Sequence, residues 1–256
     1  MGKVTVGVSL KTYFGRAEAV AWFEQVAERV RLHDAVRSGA VEVFVIPTYL
    51  QIDDAVRTFA DTPIKIGAQD VSEYPPGAFT GEISASELVE SGVAVAEIGH
   101  AERRRLFAES EAVVTAKTTA ALAEGITPVL CLGETAHMSP TDAAATTVAQ
   151  LHSAIAESAA GALIVAYEPV WAIGAPEPAP AHHIAAVTAA LRAAVDALDN
   201  RRGSAVIYGG SAGPGLLTAL DGAADGLFLG RFAHDPDAFV AVLDEAASLA
   251  AARSTS

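Results

Sequence analysis

Eight short runs of β-branched and apolar residues recur along the chain, separated by turns and amphipathic, alanine-rich segments. The runs are Val4–Ser9, Val41–Ile46, Ile64–Gly67, Val93–Glu97, Ile126–Leu130, Leu163–Ala166, Ala205–Tyr208 and Gly226–Leu229. Segments between them, such as Arg16–Arg31, Ala143–Ala160 and Ala181–Leu198, repeat their apolar residues at the helical period. Strands joined by helical crossovers lie parallel. Eight such units without a break in composition predict an α/β fold, a closed (β/α)8 barrel, over a doubly wound sheet. One domain is expected across residues 1–256. The Gly/Pro clusters at Tyr74–Gly77 and Gly174–Pro180 read as loops within it, not as linkers. The small, polar tail after Leu249 is expected to fray.

Charge and cysteine usage narrow the function classes. A formal net charge of −14 sets the chain against a nucleic-acid partner. An anionic ligand would need local donors, because the overall field repels it. The lone Cys131 allows no intramolecular disulfide and suits a reducing compartment, where it reads as a buried packing residue. Neither a signal-peptide pattern nor a membrane-length apolar run is expected from the sequence, so the expectation is a cytoplasmic protein with no membrane partner.

A parallel barrel presents its functional groups at the C-terminal ends of the strands. There the chain places Lys11 past the first run, His100 past the fourth, Glu168 past the sixth, Gly209-Gly210-Ser211 past the seventh and Gly230-Arg231 past the eighth. The segment Ala166-Tyr167-Glu168-Pro169-Val170-Trp171-Ala172-Ile173-Gly174 ends an apolar run on a carboxylate, fixes it with Pro and continues into a candidate lid. A general base needs that fixed orientation, partial desolvation and a cover against water. The adjacent His182 and His183 project in different directions from a helix, and His33, His137, His152 and His234 show no ligand spacing. No metal site is expected.

Five stretches together resemble the triosephosphate isomerase family, in that family's order: Gly67-Ala68-Gln69, Gly77-Ala78-Phe79-Thr80-Gly81-Glu82-Ile83-Ser84, Gly99-His100-Ala101-Glu102-Arg103-Arg104, the Glu168 nonapeptide and Tyr208-Gly209-Gly210-Ser211. The similarity runs from about Val4 to Asp244. It implies a sugar-phosphate isomerase that needs no metal or organic cofactor. Glu168 would be the base that shuttles a proton between carbons flanking a carbonyl. His100 would be a neutral imidazole polarising that carbonyl, a division of labour for which triosephosphate isomerase is itself the reference case. Lys11 would supply positive potential, and Gly174, Gly209, Gly210, Ser211 and Gly230 would grip the phosphate. Glu102 is expected to pair with Lys11. The Pro75–Ser84 loop matches the family segment that enters a neighbouring subunit, implying a homodimer in which Thr80 approaches the partner's lysine region and Arg103 reaches toward Glu82 across the interface.

Four departures from the family pattern surround this unchanged set. Ser9 stands where the family carries Asn two residues before the lysine. Arg231 replaces the second glycine of a pair, Ala101 replaces Ser, and the distal lid hinge becomes Ala175-Pro176-Glu177-Pro178-Ala179-Pro180. Replacing Asn by Ser frees about the volume of a carboxamide at the substrate's non-phosphate end. Dihydroxyacetone phosphate with one more CH2OH there is a tetrulose 1-phosphate. Arg231 would add a permanent cation beside the phosphate. The pattern resembles the erythrulose-phosphate isomerase branch, which converts L-erythrulose 1-phosphate to D-erythrulose 4-phosphate in four-carbon polyol catabolism. Two alternatives stand beside it: an ordinary triosephosphate isomerase, and a silent sugar-phosphate-binding barrel.

Overall fold

Eight parallel strands close into a barrel in the computed structural model, which describes residues 3–255. Met1, Gly2 and Ser256 lie outside the described residues. The first half runs β1 (Val4–Ser9), α1 (Arg16–Val30), α2 (Asp34–Arg37), β2 (Val41–Ile46), α3 (Ile52–Thr58), β3 (Lys65–Ala68), α4 (Ala85–Glu90) and β4 (Val95–Ile98). It continues with α5 (Ala101–Phe107), α6 (Glu111–Ala123), β5 (Thr127–Leu132), α7 (Pro140–Ile155), β6 (Ile164–Tyr167) and α8 (Ala181–Asp196). The chain finishes with β7 (Ala205–Tyr208), α9 (Leu216–Ala219), β8 (Gly226–Leu229) and α10 (Pro236–Thr255). Strands pair in sequence order, and β8 returns to β1 with Thr5 opposite Gly226 and Val8 opposite Leu229.

The two-residue period of each strand divides the apolar residues into two layers. One set, including Val4, Val6 and Val8 of β1, faces outward against Phe23, Val26 and Phe239 of the surrounding helices. The other set fills the barrel lumen: Phe44, Ile46, Val95, Val129, Cys131, Ile164, Ala166, Ile207 and Phe228. Across the lumen the Phe44 and Phe228 rings meet at 5.6 Å between centroids. The Phe44 ring passes directly under β1, where a Cβ on Gly7 would stand 1.9 Å from it.

Element existence follows the sequence pattern, while some ends move. Helix α7 begins before Ala143 because the Ser139 side chain accepts the Asp142 N–H and Pro140 occupies the first turn. It stops at Ile155 rather than Ala160. Strands β4, β5 and β6 each reach one or two residues beyond the expected ends, carrying the lumen-facing columns up to the site. The C-terminal tail is a correction. Instead of fraying after Leu249, α10 continues to Thr255. Arg253 anchors it by donating to the carbonyls of Gly222 at 3.1 Å and Ala224 at 2.9 Å, with Asp225 as its ion-pair partner at 3.3 Å.

Truncating the lumen's central ring tests the two-layer packing. Phe44→Ala is expected to lower unfolding free energy by about 3–5 kcal/mol, measured by urea denaturation, because the strands flanking the lumen are held on every side and cannot collapse into the void.

Candidate active site

The lumen-facing columns continue past the apolar layer and end in polar residues. Column by column, Gly7 leads to Ser9 on β1, Val95 to Glu97 on β4, Ala166 to Glu168 after β6, Ile207 to Gly209 after β7 and Phe228 to Gly230 after β8. These tops, with Lys11, His100, Gly174, Gly210, Ser211 and Arg231, line one cavity of about 260 Å3. All ten residues expected at the site therefore meet there.

Glu168 is the most constrained of them. It is buried, with 5 % of its surface exposed. A Cβ on Gly133 would collide with the Glu168 carbonyl oxygen at 2.0 Å, and one on Gly209 with the carboxyl Oε1 at 2.6 Å. Glycine at both positions is thus the condition for the carboxyl to lie where it does. Its Oε2 has no hydrogen-bond partner among the described residues, and His100 Nε2 stands 3.6 Å from it. Burial, reinforced by the neighbouring Glu97 carboxyl, raises the Glu168 pKa from 4.5 to about 8.

His100 is held in one tautomer by the helix that follows it. It caps α5, its Nδ1 accepting the Glu102 backbone N–H at 3.1 Å. The ring proton therefore sits on Nε2, which faces the cavity. Burial first, and then the Lys11 ammonium, pull the His100 pKa down to about 4. The imidazole is neutral at physiological pH. Lys11 adopts a left-handed backbone conformation, φ 48°, which costs a non-glycine residue about 1–2 kcal/mol. Gln69 Nε2 donates to the Lys11 carbonyl at 2.8 Å and holds the bend. The ammonium donates to Glu102 Oε1 at 2.6 Å, the pairing expected from the sequence. Burial is the largest single influence and opposes its charge, but this bond and the nearby carboxylates of Glu102, Glu168 and Glu97 together leave the Lys11 pKa above the ordinary value.

The rim is built for an anion. The backbone N–H groups of Gly174, Gly210 and Ser211 donate to no group among the described residues. Beside Gly174 lies the Arg231 guanidinium, exposed and without an ion-pair partner among those residues. Above the rim, the segment from Pro169 to Pro180 is fastened at both ends. Trp171 Nε1 donates to Glu134 Oε1 at 2.8 Å, and the Ala179 N–H donates to the Tyr208 hydroxyl at 2.9 Å. Glu134, wholly buried, also accepts the Tyr167 hydroxyl at 3.1 Å and lies 3.2 Å from His183 Nε2.

Three participants escape a sequence reading: Glu97, Glu134 and the Tyr208 hydroxyl. The available signal for Glu97 was a charged residue inside an otherwise apolar strand of a parallel barrel, where burial on both faces is the rule. Arg103 has ion-pair partners within the chain. Its guanidinium pairs with Asp70 at 2.9 Å and Glu109 at 2.7 Å, whereas Glu82 is exposed. Cys131 is buried in the lumen, as expected. Among the described residues no cluster of His, Cys, Asp and Glu has metal-binding geometry, and no helix is long and apolar enough to cross a membrane.

A parallel barrel with a buried carboxyl, a neutral imidazole and an anion-binding rim defines a class of enzymes that move protons on phosphorylated substrates. The chain belongs to the triosephosphate isomerase family, whose profile matches residues 4–246. It is 46% identical over 251 residues to L-erythrulose-1-phosphate isomerase of Pectobacterium atrosepticum, covering 96% of this chain and 97% of that one. To the triosephosphate isomerase of an Azoarcus species it is 37% identical over 224 residues, 85% and 92% of the two chains. The crystal structure of the Bartonella henselae triosephosphate isomerase superposes with a TM-score of 0.80 at 25% identity, over 95% and 98% of the chains. The protein is a ketose-phosphate isomerase.

The pKa of Glu168 makes a stability prediction with a definite sign. A carboxyl whose folded pKa is raised from 4.5 to about 8 favours folding in its neutral form. That contribution is complete below pH 4.5 and is lost as pH rises through 8. Glu168→Gln is therefore expected to gain thermal stability over the parent between pH 5 and pH 9, read as a widening difference in Tm. A difference independent of pH contradicts the assignment.

Proposed function

We propose that this isomerase interconverts L-erythrulose 1-phosphate and D-erythrulose 4-phosphate, as a cytoplasmic step of four-carbon polyol catabolism. The observation that carries the reading is Ser9. Its small side chain lies at the cavity floor and turns its hydroxyl toward Glu97, 2.8 Å away, leaving space for an extra carbon beyond the reacting pair. The 46% identity to L-erythrulose-1-phosphate isomerase across nearly the whole chain supports it.

In this reading the phosphate rests on the N–H groups of Gly174, Gly210 and Ser211, with Gly209 and Gly230 shaping the approach and Arg231 as added cation. The C2 carbonyl oxygen faces His100 Nε2–H and the Lys11 ammonium. Glu168, ionised, removes the C3 proton, and the electron pair forms an enediolate across C2 and C3. A neutral imidazole suits this oxyanion, because its N–H stays a donor throughout and carries no charge that burial would penalise. The protonated Glu168 then returns the proton to C2 while the C3 hydroxyl proton passes to the adjacent C2 oxygen, leaving a hydroxyl at C2 and the ketone at C3. Atoms balance with no redox partner, and Glu168 regains its charge. A base whose pKa lies near the working pH combines a large ionised fraction with strong affinity for the proton. The fastened lid keeps water from the enediolate, which would otherwise be open to side reactions.

Side-by-side kcat/KM values for L-erythrulose 1-phosphate and dihydroxyacetone phosphate test the assignment. Preference for the four-carbon ketose is expected; preference for the triose would return the chain to ordinary triosephosphate isomerisation. Glu168→Gln is expected to lower kcat by about 10^3-fold while ligand still binds. A parent protein inactive on either sugar would instead support a silent binding barrel.

We also propose a homodimer formed through the Pro75–Ser84 loop. Every residue from Tyr74 to Glu82 is exposed, yet the Tyr74 and Phe79 rings stack at 4.2 Å, giving the loop an ordered apolar tip. Leu50, Leu106 and Phe107 are also exposed, at 86, 64 and 63 %. Large apolar side chains left in water at this density mark an interface. Sedimentation equilibrium at micromolar concentration is expected to give about twice the chain mass of 26.2 kDa. A 26.2 kDa species would exclude the dimer.

A further inference from the structure

One carboxyl on the cavity floor has no part in the proton transfer just described. Glu97 lies within β4, with 4 % of its surface exposed, and continues the column of Val95 into the lumen. Its Oε2 accepts the Ser9 hydroxyl at 2.8 Å. Its Oε1 receives no hydrogen bond among the described residues and stands 3.9 Å from His100 Nε2. Directly below is the apolar packing of Val129, Ile207 and Phe228.

A carboxyl in such a place is costly to bury, and an apolar side chain of similar volume would pack there at less expense. Burial, the largest influence, lifts its pKa from 4.5 to about 7 against the opposition of Ser9 and Lys11. Nor is it needed to tie β1 to β4, since both strands are already fixed by the closed hydrogen-bonded ladder. The group is therefore retained for something that enters the cavity.

The topology says what that is. The phosphate-type donors Gly174, Gly210, Ser211 and Arg231 belong to loops at the rim. Glu168 and His100 follow the ends of β6 and β4, and Glu97 lies three residues deeper than His100. A substrate held by its phosphate at the rim, with its reacting carbons between Glu168 and His100, directs its far end at the floor. In a three-carbon ketose phosphate that far end is the reacting carbon itself. In a four-carbon one it is a further CH2OH, whose hydroxyl must find an acceptor.

We propose that Glu97, braced by Ser9, is the specificity-determining residue that accepts the terminal hydroxyl of a four-carbon ketose phosphate. The inference rests on the tetrulose-phosphate reading above and assigns its selectivity to a residue pair. Ser9 holds Oε2, so the carboxyl cannot rotate away and Oε1 stays aimed at the substrate. A three-carbon ligand leaves Oε1 buried without a partner, and sites built to bond a hydroxyl discriminate strongly against analogues that lack it.

The test separates recognition from turnover by using inert ligands. Erythritol 4-phosphate and glycerol 3-phosphate are titrated calorimetrically into the parent protein, Glu97→Val, Glu97→Gln and Ser9→Ala. The parent is expected to bind the tetritol phosphate at least about tenfold more tightly, and Glu97→Val to bring the ratio to within about threefold of unity. Glu97→Gln, which keeps an acceptor oxygen, is expected to restore part of the ratio, and Ser9→Ala to reduce it. A parent that does not discriminate, or a ratio unmoved in Glu97→Val, overturns the proposal. Should Glu97→Val not fold, Glu97→Met removes the carboxyl at nearly equal volume and carries the same comparison. Kinetics judge the reaction independently. A parent that turns over only the triose while still preferring tetritol phosphate refutes the tetrulose reading and leaves Glu97 as the hydroxyl acceptor. Turnover of the tetrulose without the binding ratio does the reverse.

Discussion

A carboxyl held in a dry cavity with one oxygen unpartnered is the constraint to which the rest of the barrel mouth answers. Glu168 gains nothing in stability from its position: it is buried, faces a second carboxyl and leaves Oε2 unsatisfied. Such a group persists only where the surroundings over-determine it. They do so through geometry that admits no alternative. Gly133 and Gly209 are reduced to backbone because Glu168 occupies the volume a Cβ would need. The strand supplies the direction, and Pro169 limits how the chain leaves it.

The same constraint organises the polar groups farther out. His100 caps α5 and so keeps its proton on Nε2, facing the cavity, while Lys11 is bent into place at a backbone cost and tied to Glu102. Glu134 and the Tyr208 hydroxyl lie outside the cavity floor, yet they fasten the segment that covers it. Removing water from above Glu168 raises its basicity and lengthens the reach of Lys11's field, since both effects depend on a low local dielectric. Packing, strain and electrostatics are here consequences of one decision, to keep a base dry.

How much of this was legible in the sequence depends on the kind of signal. The barrel was, because eight apolar runs with helical spacers leave few alternatives. Lys11, His100 and Glu168 were, because each stands just past a strand within a distinctive local motif. Glu97 was not: it sits inside a run that reads as apolar, and only the inward column of β4 shows that its side chain enters the cavity. Ser9 stood out as a departure from the family pattern, but its hydrogen bond spans 88 residues of sequence and has no local trace. Arg103 also pairs with Asp70 and Glu109 of the same chain, contacts that its local motif does not announce. The last turns of α10, beyond Leu249, were missed because their anchor, Arg253, bonds to carbonyls near β8 that no helical pattern announces.

The account turns on Glu168 being a buried base of raised pKa, and a site-specific titration measures that directly. Carbon-13 NMR of the protein labelled at the glutamate side-chain carboxyl carbon, with Glu168→Gln used to assign the resonance, follows its protonation from pH 4 to 10. The predicted midpoint is about 8, far above the ordinary 4.5. A midpoint close to 4.5 would mean that the carboxyl is solvated in solution, and the dry base around which the barrel mouth is argued to be built would not exist.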